Sequence, residues 1–98
     1  MNDNKLQVQF FGAIREAAGK TAGADAVPGL TVLALLQKLA DGYGPAFRGE
    51  IFAEGGDGLR DDLTVTVNGA IVRHEAVSGI STAPGDVIAL FPVFPGGG

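Results

Sequence analysis

The sequence contains no cysteine, and this absence excludes several kinds of chemistry. Disulfide bonds, thiolate metal sites and a cysteine nucleophile all need the missing side chain. Histidine is nearly absent as well, since only His74 occurs, between Arg73 and Glu75. Because a metal site usually needs several such ligands, we predict that His74 is a solvated loop residue and that the chain binds no metal.

Charged residues are sparse, at 18% of the chain, and the formal net charge is −4. This acidic balance argues against binding to nucleic acid or to an anionic membrane. The apolar fraction of 46% supplies a core, and the low charge argues against disorder. No apolar run approaches the length that spans a bilayer, and residues 1–5 lack the apolar region of a signal peptide. We therefore expect a cytoplasmic protein that forms one domain over residues 1–98.

Apolar periodicity in the first half of the chain predicts two strands, a turn and one long helix. Residues 6–10 alternate as a strand, residues 11–18 form a short helical turn, and residues 21–27 are weakly strand-like. A helix is predicted over residues 31–43, where apolar residues recur at helical spacing. Thr31, at its start, can cap the helix through its hydroxyl group.

The segment 44–60 contains five glycines and little periodicity. We predict that it is a long, mobile excursion with a single turn around residues 46–52. Its glycines leave few side chains that could pack against the rest of the domain.

Two signals in the second half predict a hairpin and a final strand. Residues 63–67 alternate as a strand, and the Asn68-Gly69 pair is typical of a type I′ turn into a short strand at 70–72. A last strand is predicted at 87–91. One main helix packed across one face of a mixed sheet would bury the apolar sides of both. This order predicts an α+β protein of the β-grasp, or ubiquitin-like, class. The predicted core residues are Val8, Phe10, Val32, Leu36, Leu39, Leu63, Val65, Val67, Ile88 and Leu90.

No set of side chains in the sequence is suited to catalysis by the chain itself. The reactive group that stands out is the α-carboxylate of Gly98, which adenylation would open to attack by a sulfur donor or an amine. Pro92 and Pro95 should end sheet pairing, so we expect residues 92–98 to form a flexible tail. Phe94 is then either a core residue or part of a docking surface beside the tail.

Several motifs occur in a recognisable order along the chain. Residues 8–19 (VQFFGAIREAAG) and 30–36 (LTVLALL) precede residues 65–69 (VTVNG), residues 84–92 (PGDVIALFP) and a terminal pair of glycines. Together they resemble the MoaD/ThiS family of β-grasp sulfur carriers, of the type found in the small subunit of molybdopterin synthase. The resemblance covers essentially the whole chain.

The resemblance implies a function at the C-terminus. An E1-like enzyme would use ATP to adenylate Gly98, and a sulfur donor would convert the product to a thiocarboxylate. The chain itself would bind no cofactor. The large subunit of molybdopterin synthase, or an equivalent protein, would bind the tail and take the sulfur for molybdenum or tungsten cofactor biosynthesis. The residues implied in binding partner proteins are Phe91, Pro92, Val93, Phe94, Pro95, Gly96 and Gly97.

The sequence leaves alternatives open. A ubiquitin-like modifier joined to lysines would need the same activated glycine, and sulfur carriers for thiamine or cysteine synthesis share the chemistry. A plain interaction module with an incidental tail is a third reading. The tail FPVFPGGG departs from the family pattern through a shifted proline and a third glycine. Either Gly97 or Gly98 could therefore be the residue that carries the sulfur.

Overall fold

The computed structural model describes residues 5–19, 22–55 and 58–92. The elements follow one another in the order that the sequence predicts, with one additional helix. They are β1 (Leu6–Phe10), α1 (Gly12–Ala17), β2 (Gly23–Ala26), α2 (Val32–Tyr43), α3 (Pro45–Ile51), β3 (Thr64–Val67), β4 (Ala70–Val72) and β5 (Val87–Phe91), with a 3-10 turn at His74–Ala76. None of these helices is long and apolar enough to cross a membrane.

The strands form one mixed sheet in the order β2-β1-β5-β3-β4. β1 and β5 run parallel, whereas the other neighbouring pairs are antiparallel. The last strand therefore lies at the centre of the sheet, with a partner on each side. This arrangement, with helices packed across the sheet, confirms the predicted β-grasp class.

The core lies between the helices and one face of the sheet. Phe10 is fully buried, and its ring makes edge-to-face contacts with Tyr43 of α2 and Phe47 of α3, at centroid distances of 5.5 and 5.3 Å. The predicted core residues are all buried except Leu39 and Val67, which are half-buried and pack against the same cluster. The apolar periodicity thus identified the inner face of each element correctly.

Helix α2 begins and ends as its sequence predicts. The hydroxyl group of Thr31 accepts a hydrogen bond from the backbone N–H of Ala34, at 3.1 Å, which satisfies one of the free donors of the first turn. Gly44 ends the helix with a φ of 102°, a conformation that glycine adopts without strain. Pro45 then opens α3 at a position where its missing N–H costs no hydrogen bond.

The prediction of a mobile excursion over residues 44–60 is wrong in its described part. Helix α3 runs for seven residues there, and Phe47 and Ile51 on it are fully buried. Phe52 and Leu59 are also buried and form an isolated β-bridge. Four apolar side chains therefore hold the segment against the core, although glycines separate them in the sequence.

The prediction for His74 is wrong as well. The residue begins the 3-10 turn and is half-buried rather than solvated. Its Nε2 atom lies 2.6 Å from the backbone oxygen of Leu63, so the ring bridges this turn to the residue before β3. Sequence spacing could not reveal a contact between residues that are eleven positions apart.

A polar network closes the end of the sheet at which β5 begins. Asn68 and Gly69 both have positive φ, of 53° and 87°, as the predicted type I′ turn requires. The side-chain amide of Asn68 donates to one carboxylate oxygen of Asp86, and the backbone N–H of Ala83 donates to the other. The Asn68 oxygen in turn accepts from the N–H of Val87, at 2.9 Å. The network joins the hairpin turn to the start of the final strand.

These hydrogen bonds, the one from Asn68 first and that from Ala83 second, lower the pKa of Asp86 below its ordinary value of 3.8. A folded pKa below the unfolded one adds stability that is complete above the ordinary value and is lost as the pH falls through the lowered one. Asp86→Ala should therefore reduce the free energy of unfolding at neutral pH by about 1 kcal/mol, the usual worth of such bonds near the surface. Urea unfolding of both proteins at pH 7 and below pH 3 checks this. A difference that does not shrink at the lower pH contradicts it.

Candidate functional site

The end of β5 is where the predicted partner-binding residues begin. Phe91 is the last residue of the strand and Pro92 follows it, and both are half-buried. The rest of the predicted site lies outside the described residues. These positions are Val93, Phe94, Pro95, Gly96, Gly97 and Gly98. The described residues therefore include only the first two of the predicted partner-binding positions.

The backbone at the end of β5 is held from both sides because β5 is central in the sheet. Phe91 is opposite Thr64 in the antiparallel ladder with β3. On the other side Phe10 is opposite Leu90 in the parallel ladder, and the N–H of Phe11 donates to the Leu90 oxygen at 3.2 Å. Parallel pairing thus brings the residue that follows β1 next to the residue that ends β5.

An aromatic pair marks this junction. The rings of Phe11 and Phe91 stack with a centroid distance of 4.5 Å and an interplanar angle of 10°. Phe11 is 39% exposed, unusually high for so large an apolar side chain. Gly12, with a φ of 58°, then turns the chain into α1 directly beside Pro92. We call these four residues, Phe11, Gly12, Phe91 and Pro92, the exit corner.

The exit corner lies at the edge of the sheet face that points away from the core. Cross-strand pairs share a face, so the register assigns the side chains of this outer face. Asp25 is the only charged side chain on it within the described strands, and Ile71 is 72% exposed. The described residues of the outer face are Gln7, Gln9, Asp25, Thr64, Thr66, Ile71, Val87, Ala89 and Phe91. A weakly charged surface with exposed apolar groups is suited to protein binding.

A shallow groove of about 560 Å³ crosses the outer face between β1 and β2. It runs past Phe11 at the exit corner and is bordered by Arg15 of α1 and Asp25 of β2. Gly23 at its floor faces the Val8 carbonyl so closely that an added Cβ would lie only 2.2 Å from that oxygen. The close approach of β2 to β1 at this position therefore depends on a glycine in β2.

The residues that the structure describes contain no cluster of metal-ligating side chains. No group of three histidine, aspartate or glutamate side chains in that part of the chain could hold a metal ion. The groups with shifted pKa values lie elsewhere: Asp62 raises the pKa of Arg60, a backbone N–H and Arg73 lower that of Glu75, and Asp86 is at the opposite end of β5.

Sequence reasoning assigned Phe91 and Pro92 to the predicted site and did not include Phe11 and Gly12, which the structure places beside them. The sequence does not reveal the parallel register of β1 and β5, which places residues about eighty positions apart next to each other. An aromatic residue directly after the buried Phe10, out of phase with the core face, was the available signal. The parallel pairing of β1 with β5 in this topology would have predicted the contact between Phe11 and Phe91.

The fold defines a ubiquitin-like protein, a small β-grasp domain whose last strand is central in the sheet. The ThiS family model matches residues 8–97, and the chain belongs to this family of ubiquitin-like sulfur carriers. The expected resemblance is thus confirmed. Curated proteins gave no match.

Solved structures show the same fold. SAMP1 from Haloferax volcanii is 30% identical with a TM-score of 0.72, and the match covers 90% of this chain and 93% of that one. A putative molybdopterin converting factor subunit 1 from Pyrococcus furiosus is 27% identical with a TM-score of 0.68, covering 91% and 97%. CysO from Mycobacterium tuberculosis is 20% identical with a TM-score of 0.73, covering 90% and 98%, and this likeness supports the fold alone.

Proposed function

We propose that the protein is a sulfur carrier whose Gly98 carboxylate is converted to a thiocarboxylate that supplies sulfur for molybdopterin synthesis. The observation that supports it most is the ThiS family match, which extends through residue 97 and so includes all of the tail except Gly98. The likeness to the Pyrococcus furiosus protein, named as a putative molybdopterin converting factor subunit, favours molybdopterin as the destination.

The proposed chemistry has two steps at one carbon atom. A carboxylate oxygen of Gly98 attacks the α-phosphorus of ATP on an E1-like partner, and pyrophosphate leaves. A donor at the oxidation level of sulfide then attacks the acyl carbon, AMP leaves, and the thiocarboxylate remains. Glycine leaves this carbon unhindered because it has no β-carbon. ATP belongs to the activating enzyme in this scheme, and the carrier binds no cofactor.

The domain contributes binding and orientation to this scheme. The outer face, with a single charged strand residue, provides contact area for the activating enzyme and afterwards for the synthase large subunit. The exit corner fixes where the tail begins relative to that face. The catalytic groups are those of the partners.

A second candidate function is a protein modifier, joined to lysines through the same activated glycine. The observation that favours it is the 30% identity to the SAMP1 structure. A second structure, of small archaeal modifier protein 1 from the same organism, is also 30% identical. Both candidates share adenylation and differ in what attacks the acyl carbon, sulfur or a lysine amine.

Intact-mass spectrometry separates the two functions. The purified chain is incubated with an E1-like enzyme, ATP and a sulfur donor, and a sample without ATP serves as the control. We expect an ATP-dependent gain of about 16 Da, because a sulfur atom in its thiolate form replaces one oxygen. Conjugates linked through an isopeptide bond, without any free thiocarboxylate, would instead support the modifier. No ATP-dependent product of either kind would overturn both.

A further inference from the structure

Gly12 and Pro92 lie so close together that no residue with a Cβ atom fits at position 12 without a shift. A Cβ atom added to Gly12 would lie 2.7 Å from Cγ and 3.3 Å from Cδ of Pro92. The first distance is shorter than real Cβ contacts, so one of the two residues would have to move. The proline ring occupies the space that an alanine side chain would fill.

The proline ring cannot rotate away from such a contact. It is closed onto its own backbone nitrogen, which fixes φ near −65°, so pressure on the ring is passed to the backbone. The preceding residue cannot absorb the shift, since Phe91 is paired with Thr64 and its ring is stacked on Phe11. A displacement of Pro92 would therefore shift the backbone at the point where the chain leaves β5.

Sheet pairing does not by itself fix the direction of the chain at Pro92. Pro92 has no N–H group to donate to a neighbouring strand, and the ladder to β3 is described only as far as Phe91. The contact with Gly12 then provides a steric stop on the side of α1.

We propose that Gly12 is a positioning residue for the sulfur-carrying tail. Its missing side chain admits the Pro92 ring, and this contact sets the direction in which the tail leaves β5 toward the active site of the activating enzyme. This inference rests on the proposed function, because it assigns Gly12 a role in delivering Gly98 to that enzyme.

Gly12→Ala tests the contact, and Gly19→Ala is its matched control. Both glycines flank α1 in the left-handed region, with φ of 58° and 88°, so alanine carries a similar backbone penalty at each. Only the Gly12 substitution meets a neighbour, since nothing lies within 4 Å of a Cβ at Gly19. The readout is pyrophosphate release by the E1-like enzyme with ATP, resolved into kcat and KM for the carrier.

We expect Gly12→Ala to lower kcat about tenfold at nearly unchanged KM, because the tail is misdirected while the binding face is kept. Gly19→Ala should change kcat by about twofold or less. Pro92→Ala removes Cγ and Cδ, the two atoms that clash with a Cβ at position 12. The double variant Gly12→Ala/Pro92→Ala should therefore have the same kcat as Pro92→Ala alone. Such non-additivity would show that the two positions are strongly coupled. If Gly12→Ala does not fold, Pro92→Ala alone should still lower kcat, about threefold, since the contact is lost from the other side.

Four results would overturn the inference. With an active wild-type chain, equal kcat values for Gly12→Ala and Gly19→Ala remove the positioning role and leave the proposed function intact. Additive effects of Gly12→Ala and Pro92→Ala on kcat would also remove the positioning role and leave the proposed function intact. The same conclusion would follow if Gly12→Ala is unfolded and Pro92→Ala leaves kcat unchanged. A wild-type chain that never supports pyrophosphate release overturns the proposed function, and the inference falls with it.

Discussion

Replacing Gly97 by leucine should abolish formation of the thiocarboxylate while leaving the folded domain unchanged. The proposed reaction requires the tail to reach the active site of the activating enzyme, and we expect the channel there to admit backbone and exclude a β-carbon, so the effect is steric. The expected loss in the rate of ATP-dependent modification is about 100-fold or more, since displacement of a reacting group by as little as 1 Å can have this effect. Intact mass against time measures the rate, and thermal unfolding measures the domain.

The control is Gly49→Leu, a substitution of the same size at an exposed glycine of α3 with nothing within 4 Å of its Cβ. It should keep the wild-type rate. A normal rate for Gly97→Leu would remove the steric argument for the tail. Equal loss in both variants would show that added bulk acts through the domain instead.

Truncating Phe47 to alanine should lower the free energy of unfolding by about 3–5 kcal/mol, the range for a buried phenylalanine that leaves a cavity. The ring is fully buried in α3 and contacts the Phe10 and Tyr43 rings, at 5.3 and 4.9 Å between centroids. Such a loss is large for a domain of this size, whose total stability is only a few times greater. Urea unfolding followed by circular dichroism measures it.

Ile71→Ala is the matched control for Phe47→Ala, since Ile71 is 72% exposed. Its effect should stay within about 0.5 kcal/mol, as is usual for surface positions. If the two substitutions cost the same, α3 does not belong to the core, and the prediction of a mobile 44–60 segment would stand after all.

Local signals in the sequence were sufficient for much of the fold. The hydroxyl of Thr31 and the apolar stripe after it fixed the start and the inner face of α2. Asn68-Gly69 identified the hairpin, because few other pairs accept positive φ at two successive positions. These features depend on neighbouring residues alone, and such features can be predicted from a single sequence.

Helix α3 was missed because its signal is short and interrupted. Phe47 and Ile51 are spaced as i and i+4, but Gly49 lies between them and the glycine-rich stretch that follows obscures the pattern. The burial of Phe52 and Leu59 depends on a bridge between them, which no local pattern indicates. Tertiary packing outweighed the low helix propensity of glycine at this point.

Only two of the four residues of the exit corner could be predicted, again because tertiary contacts are not visible in a local pattern. Phe91 and Pro92 were assigned from the strand pattern and the proline, whereas Phe11 and Gly12 join them only through the register of β1 and β5. Position 12 requires glycine because an added Cβ atom would lie only 2.7 Å from Cγ of Pro92. Such a distance follows from the assembled sheet and cannot be read from composition or spacing.

The most direct test of sulfur carriage is to fragment the intact modified chain in the mass spectrometer and locate the added mass. After reaction with an E1-like enzyme, ATP and a sulfur donor, we expect about 16 Da on fragments that contain Gly98 and none on fragments that end before it, as one sulfur for one oxygen requires. Added mass on an internal residue would contradict the account. So would an ATP-treated chain whose C-terminal fragments keep their original mass.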